Sequence, residues 1–156
     1  MDGKRREVLK TGGGLTLLSL VAAAGWLRPG EAFAEWNKAA FEAKTLDDTL
    51  KALGSSGSTP SKDIAFVATP DIAENGAVVP IGIASSIPKT ESIAILIEKN
   101  PNMLAAVFDI PLGTDPAINT RVKMGQSSNV YALVKADGKY YAAVKEIKVT
   151  LGGCGG

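Results

Sequence analysis

The sequence predicts a mostly β protein: an antiparallel β-sandwich of the immunoglobulin-like kind, with an N-terminal helix ahead of it and a flexible C-terminal arm behind it. Three observations carry that expectation. From Lys62 onward, seven short runs enriched in Val, Ile, Tyr and Phe recur between clusters of Pro, Gly, Asn and Asp. Asp137-Gly138 separates the last two runs, and this pair suits a type I′ hairpin because both central residues need positive φ. Beyond the last run, Gly152, Gly153, Gly155 and Gly156 flank one cysteine and leave its backbone almost unrestricted. The Cys-Trp-Cys pattern of antibody domains is missing, since Cys154 is the single cysteine. No internal repeat is visible.

Residues 1–34 have the three parts of an export signal. The basic start contains Arg5 and Arg6, and with Val8-Leu9-Lys10 it resembles the twin-arginine signal, valine standing where phenylalanine is common. The apolar stretch runs from Leu15 to Leu27, and Gly12, Gly13, Gly14 and Gly25 dilute it, unlike a stable membrane span. Ala32-Phe33-Ala34 is the small-residue cleavage site, with Ala32 and Ala34 in the small positions. The competing reading is an uncleaved N-terminal anchor. The expectation is a periplasmic protein, free of the membrane after cleavage. That route carries folded chains, which suits a subunit exported with a partner already bound.

Cleavage after Ala34 leaves 122 of the 156 residues, enough for one domain with a core. Taking the five Lys/Arg and three Asp/Glu of the signal from totals of 17 and 16 leaves 12 and 13. No basic run remains, so nucleic acid is not an expected partner. There is no histidine, which removes Ser-His and Cys-His nucleophilic pairs and the commonest metal ligand. No glycine-rich phosphate loop appears. A self-contained enzyme, a resident cofactor and a metal site are therefore not expected.

Residues 35–61 read as a helix and a linker. The helix is expected over Glu35 to Leu53. Within it, Thr45-Leu46-Asp47-Asp48 fits a loose capping box, because the threonine oxygen accepts an orphan N–H. Leu46, Leu50 and Leu53 make one apolar stripe, and Gly54 marks the stop. Trp36 and Phe41 could dock this helix on the body or on a partner. Ser55 to Ser61 is the linker.

Residues 62–151 form the sandwich. Its strands are expected at Ile64 to Ala68, Ala77 to Ala84, Ser92 to Glu98, Leu104 to Ile110, Thr120 to Met124, Asn129 to Lys135 and Lys139 to Thr150. Ile93 to Ile97 and Leu104 to Phe108 are apolar on both faces, whereas an outer sandwich face normally turns polar. Either another subunit or the N-terminal helix must cover them. Lys145 interrupts the inward phase of the last strand, which calls for a bulge or a snorkelling lysine. Tyr140 and Tyr141 read as cross-strand packing. Lys135, Lys139, Lys145 and Lys148 read as a solvated face. Asn100-Pro101 and the run from Pro111 to Pro116 read as turn formers.

Residues 152–156 are the arm. Leu151 to Cys154 spans about 10 Å when extended. A free cysteine is only a few per cent thiolate near neutral pH, and the nearby terminal carboxylate favours the neutral form. Activation would therefore come from a partner's site, which suits a carrier better than an autonomous catalyst. Three other readings stand beside it. Cys154 could be an incidental thiol, or it could close an intermolecular disulfide in an exported interaction module. Alternatively, the Gly-Gly terminus could be adenylated as in ubiquitin-like carriers, which export disfavours because the adenylating enzymes and ATP are cytoplasmic. Prenylation fails on spacing, as two residues follow the cysteine instead of three.

The tail from Val149 to Gly156, on a twin-arginine-exported β-domain, resembles the SoxY family of sulfur carriers. The likeness extends to the helix end Leu50-Lys51-Ala52-Leu53-Gly54, to Val79-Pro80-Ile81, to Glu98-Lys99-Asn100-Pro101 with Leu104 to Phe108, and to Thr120-Arg121-Val122-Lys123-Met124. Met103 departs from the pattern, standing where a second proline of the loop is expected. The resemblance implies a heterodimer with SoxZ and covalent attachment of thiosulfate-derived sulfur to Cys154. It further implies transient visits to SoxAX, SoxB and, where present, SoxCD.

Overall fold

A computed structural model of the chain describes residues 37–150. The export segment with Arg5, Arg6, Ala32 and Ala34, together with Trp36 and the arm from residue 151 to 156, lies outside the described residues. Among those described, no helix is long and apolar enough to cross a membrane.

The expected single helix is two short ones, α1 (Lys38–Glu42) and α2 (Leu46–Ala52). The cause lies in the capping box itself. Thr45 caps α2 from an extended conformation (φ −124°, ψ 158°), so a helix cannot continue through it. Its hydroxyl accepts the Asp48 N–H at 3.1 Å and donates to Asp48 Oδ2 at 2.7 Å. Asn37 caps α1 in turn, accepting the Ala40 N–H. Gly54 ends α2 as expected, at φ 84°. The Ser55 N–H then reaches the Leu50 carbonyl and the Gly54 N–H that of Lys51, the paired bonds of a Schellman stop.

The strands are β1 (Thr59–Pro60), β2 (Ile64–Val67), β3 (Ile72–Ala73), β4 (Val79–Ser85), β5 (Thr90–Ile97), β6 (Leu104–Asp109), β7 (Ala117–Val122), β8 (Ser128–Ala136) and β9 (Lys139–Val149). All seven expected strands are present, with ends shifted by a few residues. The larger sheet runs β1-β9-β8-β5-β6, and β3 also pairs with β9; the smaller sheet is β2-β4-β7. The long strands pair antiparallel. Asp137 and Gly138 adopt φ 50° and 71°, the double positive the hairpin demands. Two pairings depart from the expectation: β1, inside the supposed linker, and β3 both run parallel to β9. Each is two residues long, too short to show a period of two.

The core lies between the sheets. Ile93, Ile95 and Ile97 of β5, Val130 and Val134 of β8, and Ile147 of β9 face Ile64, Val79, Ile81, Ile83 and Val122. The reverse face of β5 is apolar because a second core sits there. Ala94, Leu96, Leu104 and Leu133 are buried beneath Ala40 of α1, Leu50 of α2 and Met103. The helices cover this face, so no other subunit is needed over β5. Burying side chains such as Leu50 and Leu96 contributes roughly 1.5–3 kcal/mol each. Leu96 pairs with Leu104 while Ile95 pairs with Ala106, leaving Ala105 as the extra residue of a bulge.

Candidate functional site

The described chain ends at the root of the arm. β9 pairs with β8 without a break from Ala136↔Lys139 to Ser128↔Ile147. Hence no bulge forms at Lys145, and the lysine snorkels instead. From the inward phase of β9 it reaches past the sheet edge, where Nζ donates to the Thr69 carbonyl at 2.6 Å and pairs with Asp71 Oδ1 at 3.0 Å. Lys145 is thus not part of a solvated face. Lys135 also has a partner, Glu91, at 3.1 Å.

The segment tied by Lys145 leads into β3, and β3 grips the end of β9. The Lys148 N–H donates to the Asp71 carbonyl at 2.9 Å, and the Thr150 N–H to that of Ala73 at 3.0 Å. On the opposite edge the Val149 N–H donates to Ser127 Oγ at 2.9 Å. Gly76 passes close by: a Cβ there would collide with the Met124 carbonyl oxygen and stand 2.9 Å from Val149 Cγ1. The Gly76 carbonyl accepts the Met124 N–H at 2.7 Å. Backbone fixation therefore persists through Thr150, four residues short of Cys154.

The same end of the sandwich holds the Asn100 loop. Asn100 Nδ2 donates to the Lys123 carbonyl at 2.7 Å, and its Oδ1 accepts the Gly125 N–H at 3.3 Å. This residue ties two loops together. The Pro111–Pro116 loop lies at the other end, where Gly113 has φ 83° and the Thr114 N–H bonds the Pro111 carbonyl.

Displaced protonation equilibria cluster near the hairpin. Lys135 and then the Gly138 N–H lower the Glu91 pKa, and Glu91 raises that of Lys135. Burial raises the Tyr140 hydroxyl, which donates to the Leu53 carbonyl at 2.9 Å. Burial likewise raises Tyr131. Tyr141 packs towards the inter-sheet core. On the outer face of the large sheet, a groove of about 620 Å³ is lined by Leu46, Pro60, Tyr131, Ala142 and Val144, among others. Among the described residues no cluster of three or more His, Cys, Asp or Glu could hold a metal ion.

Cys154, Gly152, Gly153, Gly155 and Gly156 lie outside the described residues, so the structure brings their support together and not the thiol itself. Sequence reasoning missed that support. Nothing in the pattern marks Ser127 or Ala73 as partners of the last strand. Asn75-Gly76 is a turn signal, yet the collision that forbids a side chain at Gly76 exists only once the chain is folded.

Residues 50–154, a span that includes Cys154, match the family described as sulfur oxidation protein SoxY. The chain is similar to the sulfur carrier protein SoxY from Chlorobium limicola f thiosulfatophilum, at 39% identity and a TM-score of 0.62, covering 68% of this chain and 96% of that one. A second solved structure, the superoxide reductase (neelaredoxin) E23A from Ignicoccus hospitalis, matches at 17% identity and a TM-score of 0.49, over 67% of this chain and 92% of that one. No curated protein sequence matches the chain.

Proposed function

The chain belongs to the SoxY family of sulfur oxidation proteins, and from that premise we propose that it is a covalent sulfur carrier whose attachment atom is the Cys154 thiol. The observation that supports this most is the contrast at Thr150. Hydrogen bonds on both edges hold the strand up to that residue, and beyond Leu151 the sequence is glycine apart from the one cysteine. A firm root with a thin, unhindered tip is what presentation of a thiol inside another protein's active site requires.

Membership of the family implies the chemistry. A Cys154 thiolate joins the outer sulfur of thiosulfate to give a cysteine S-thiosulfonate, with the loss of two electrons to the haem enzyme SoxAX. Water then cleaves the terminal sulfonate as sulfate in SoxB, leaving the outer sulfur on the cysteine as a persulfide. SoxCD, where present, oxidises that sulfur further. A sulfur–sulfur bond is a reversible handle, and the arm keeps one substrate at high local concentration for successive catalysts. The carrier itself supplies no catalytic group.

The reading includes residues 1–34 as a twin-arginine signal recognised through Arg5 and Arg6, cut after Ala34, and a periplasmic site of action. It includes SoxZ as the heterodimer partner, residues 62–151 as the carrier domain and residues 152–156 as the flexible arm. Cys154→Ser tests it in a reconstituted system containing these partners: thiosulfate-dependent turnover is expected to vanish. Retention of most turnover would favour a scaffold with a dispensable disulfide.

A further inference from the structure

The turn between β3 and β4 contains Asn75-Gly76, and nowhere else in the sequence does glycine follow asparagine. Asn75 is exposed. Its Oδ1 accepts the Ala77 N–H at 2.9 Å, which polarises the side-chain carbonyl and turns it back towards its own main chain. Among the described residues, neither the Gly76 N–H nor the Asn75 side-chain amide has a hydrogen-bond partner. The other five asparagines each lack part of this arrangement. Pro101 follows Asn100 and has no N–H. Asn37 and Asn129 donate their amides, to the Ala52 carbonyl and to Glu98 Oε2. After Asn102, the Met103 N–H is held by the Ala43 carbonyl, and Thr120, after Asn119, lies in the β4–β7 ladder. The fold itself demands glycine at 76, where a Cβ would collide with the Met124 carbonyl.

We propose that Asn75 is a site of spontaneous deamidation, with the Gly76 nitrogen as the nucleophile. The deprotonated nitrogen attacks Asn75 Cγ, a C–N bond closes a succinimide ring, and the side-chain nitrogen leaves as ammonia. The Ala77 N–H, already on Oδ1, stabilises the negative charge that develops there. Water then opens the ring at either carbonyl, giving aspartate or isoaspartate, so that asparagine and water become acid and ammonia with no redox step. Both products add a negative charge beside Glu74. Isoaspartate also routes the main chain through Cβ and inserts a methylene just ahead of Gly76. The Gly76 carbonyl accepts the Met124 N–H at 2.7 Å, and its Cα side faces Val149 Cγ1. The inserted methylene displaces that clasp, whereas aspartate leaves the backbone as it was. The inference needs no sulfur chemistry and stands apart from the carrier reading.

The test ages the folded full chain in mildly alkaline and mildly acidic buffer and follows all six asparagines by peptide mapping with mass spectrometry. The peptide containing Asn75 is expected to gain one mass unit and to split into aspartyl and isoaspartyl forms, at a rate rising in proportion to hydroxide. The peptides of the other five are expected to stay intact over the same interval, and Asn75→Gln, whose ring closure is slower, to abolish the conversion. An intact Asn75, conversion confined to denatured chain, or equal conversion at Asn119 overturns the proposal. The consequence is read on the separated isoaspartyl form. Amide hydrogen exchange at Met124 is expected to rise about three- to tenfold, the effect of losing one hydrogen bond. Asn75→Asp, which carries the charge without the extra methylene, is expected to exchange there like the parent. Parent-like exchange in the isoaspartyl form, or an equal rise in Asn75→Asp, contradicts the displaced clasp.

Discussion

Lys145 Nζ lies 2.6 Å from the Thr69 carbonyl oxygen, joining residues 76 apart in sequence. The bond fastens the segment before β3 to β9, and β3 then holds Lys148 and Thr150 through the carbonyls of Asp71 and Ala73. The accompanying Asp71 ion pair counts for little, because that carboxylate is 87% exposed. Lys145→Met keeps the apolar stem and loses the donor. It is expected to cost about 1–2 kcal/mol in denaturant unfolding and to speed amide exchange at Lys148 and Thr150. No change at those two amides would separate the tether from the arm root.

Gly76→Ala forces a methyl against the Met124 carbonyl and Val149. Overpacking of this kind costs about 1–3 kcal/mol. Gly125, with nothing within 4 Å of a built Cβ, is the control. Thermal unfolding of the two alanine variants is expected to show a clear loss for the first and almost none for the second.

Thr45 holds the start of α2 by accepting the Asp48 N–H, and α2 places Leu50 over Leu96 and Leu133. Thr45→Ala is expected to cost about 1 kcal/mol, the usual value of a lost N-cap. Thr45→Ser is expected to restore it. Chemical denaturation midpoints decide between them.

Glu91 sits at a bulge, since Thr90 pairs with Ala136 while Ser92 pairs with Lys135. Its carboxylate bonds Lys135 and the Gly138 N–H, which lower its pKa below the ordinary 4.5. A depressed carboxylate pKa contributes stability that is present above the unfolded value and lost as pH falls through the folded one. Glu91→Gln is therefore expected to remove a small stabilisation from the neutral region and to flatten the acid limb below pH 4.5, so that variant and parent converge in acid. An acid limb identical to the parent's would remove Glu91 from the account.

How much of this the chain announces depends on range. The strands and the Asp137-Gly138 turn follow from alternation and from backbone preference, both local properties. The capping box at Thr45 was equally visible, but its consequence, a break between two helices, requires recognising that a cap cannot also be helix interior. The apolar reverse face of β5 showed only that something covers it. That α1 and α2 do so is a tertiary fact carried by Ala40 and Leu50. The arm root was least legible, because Ser127, Asp71 and Ala73 act through single hydrogen bonds across loops, and no periodicity encodes them. Cys154 stood out by composition alone.

The central claim concerns the chemical state of one sulfur atom. Mass spectrometry of the C-terminal peptide, from protein isolated without reductant after exposure to thiosulfate and its partner enzymes, reads that state directly. The account predicts additions on Cys154 corresponding to a thiosulfonate or to extra sulfur atoms. A thiol that stays unmodified and freely alkylatable during active turnover contradicts it.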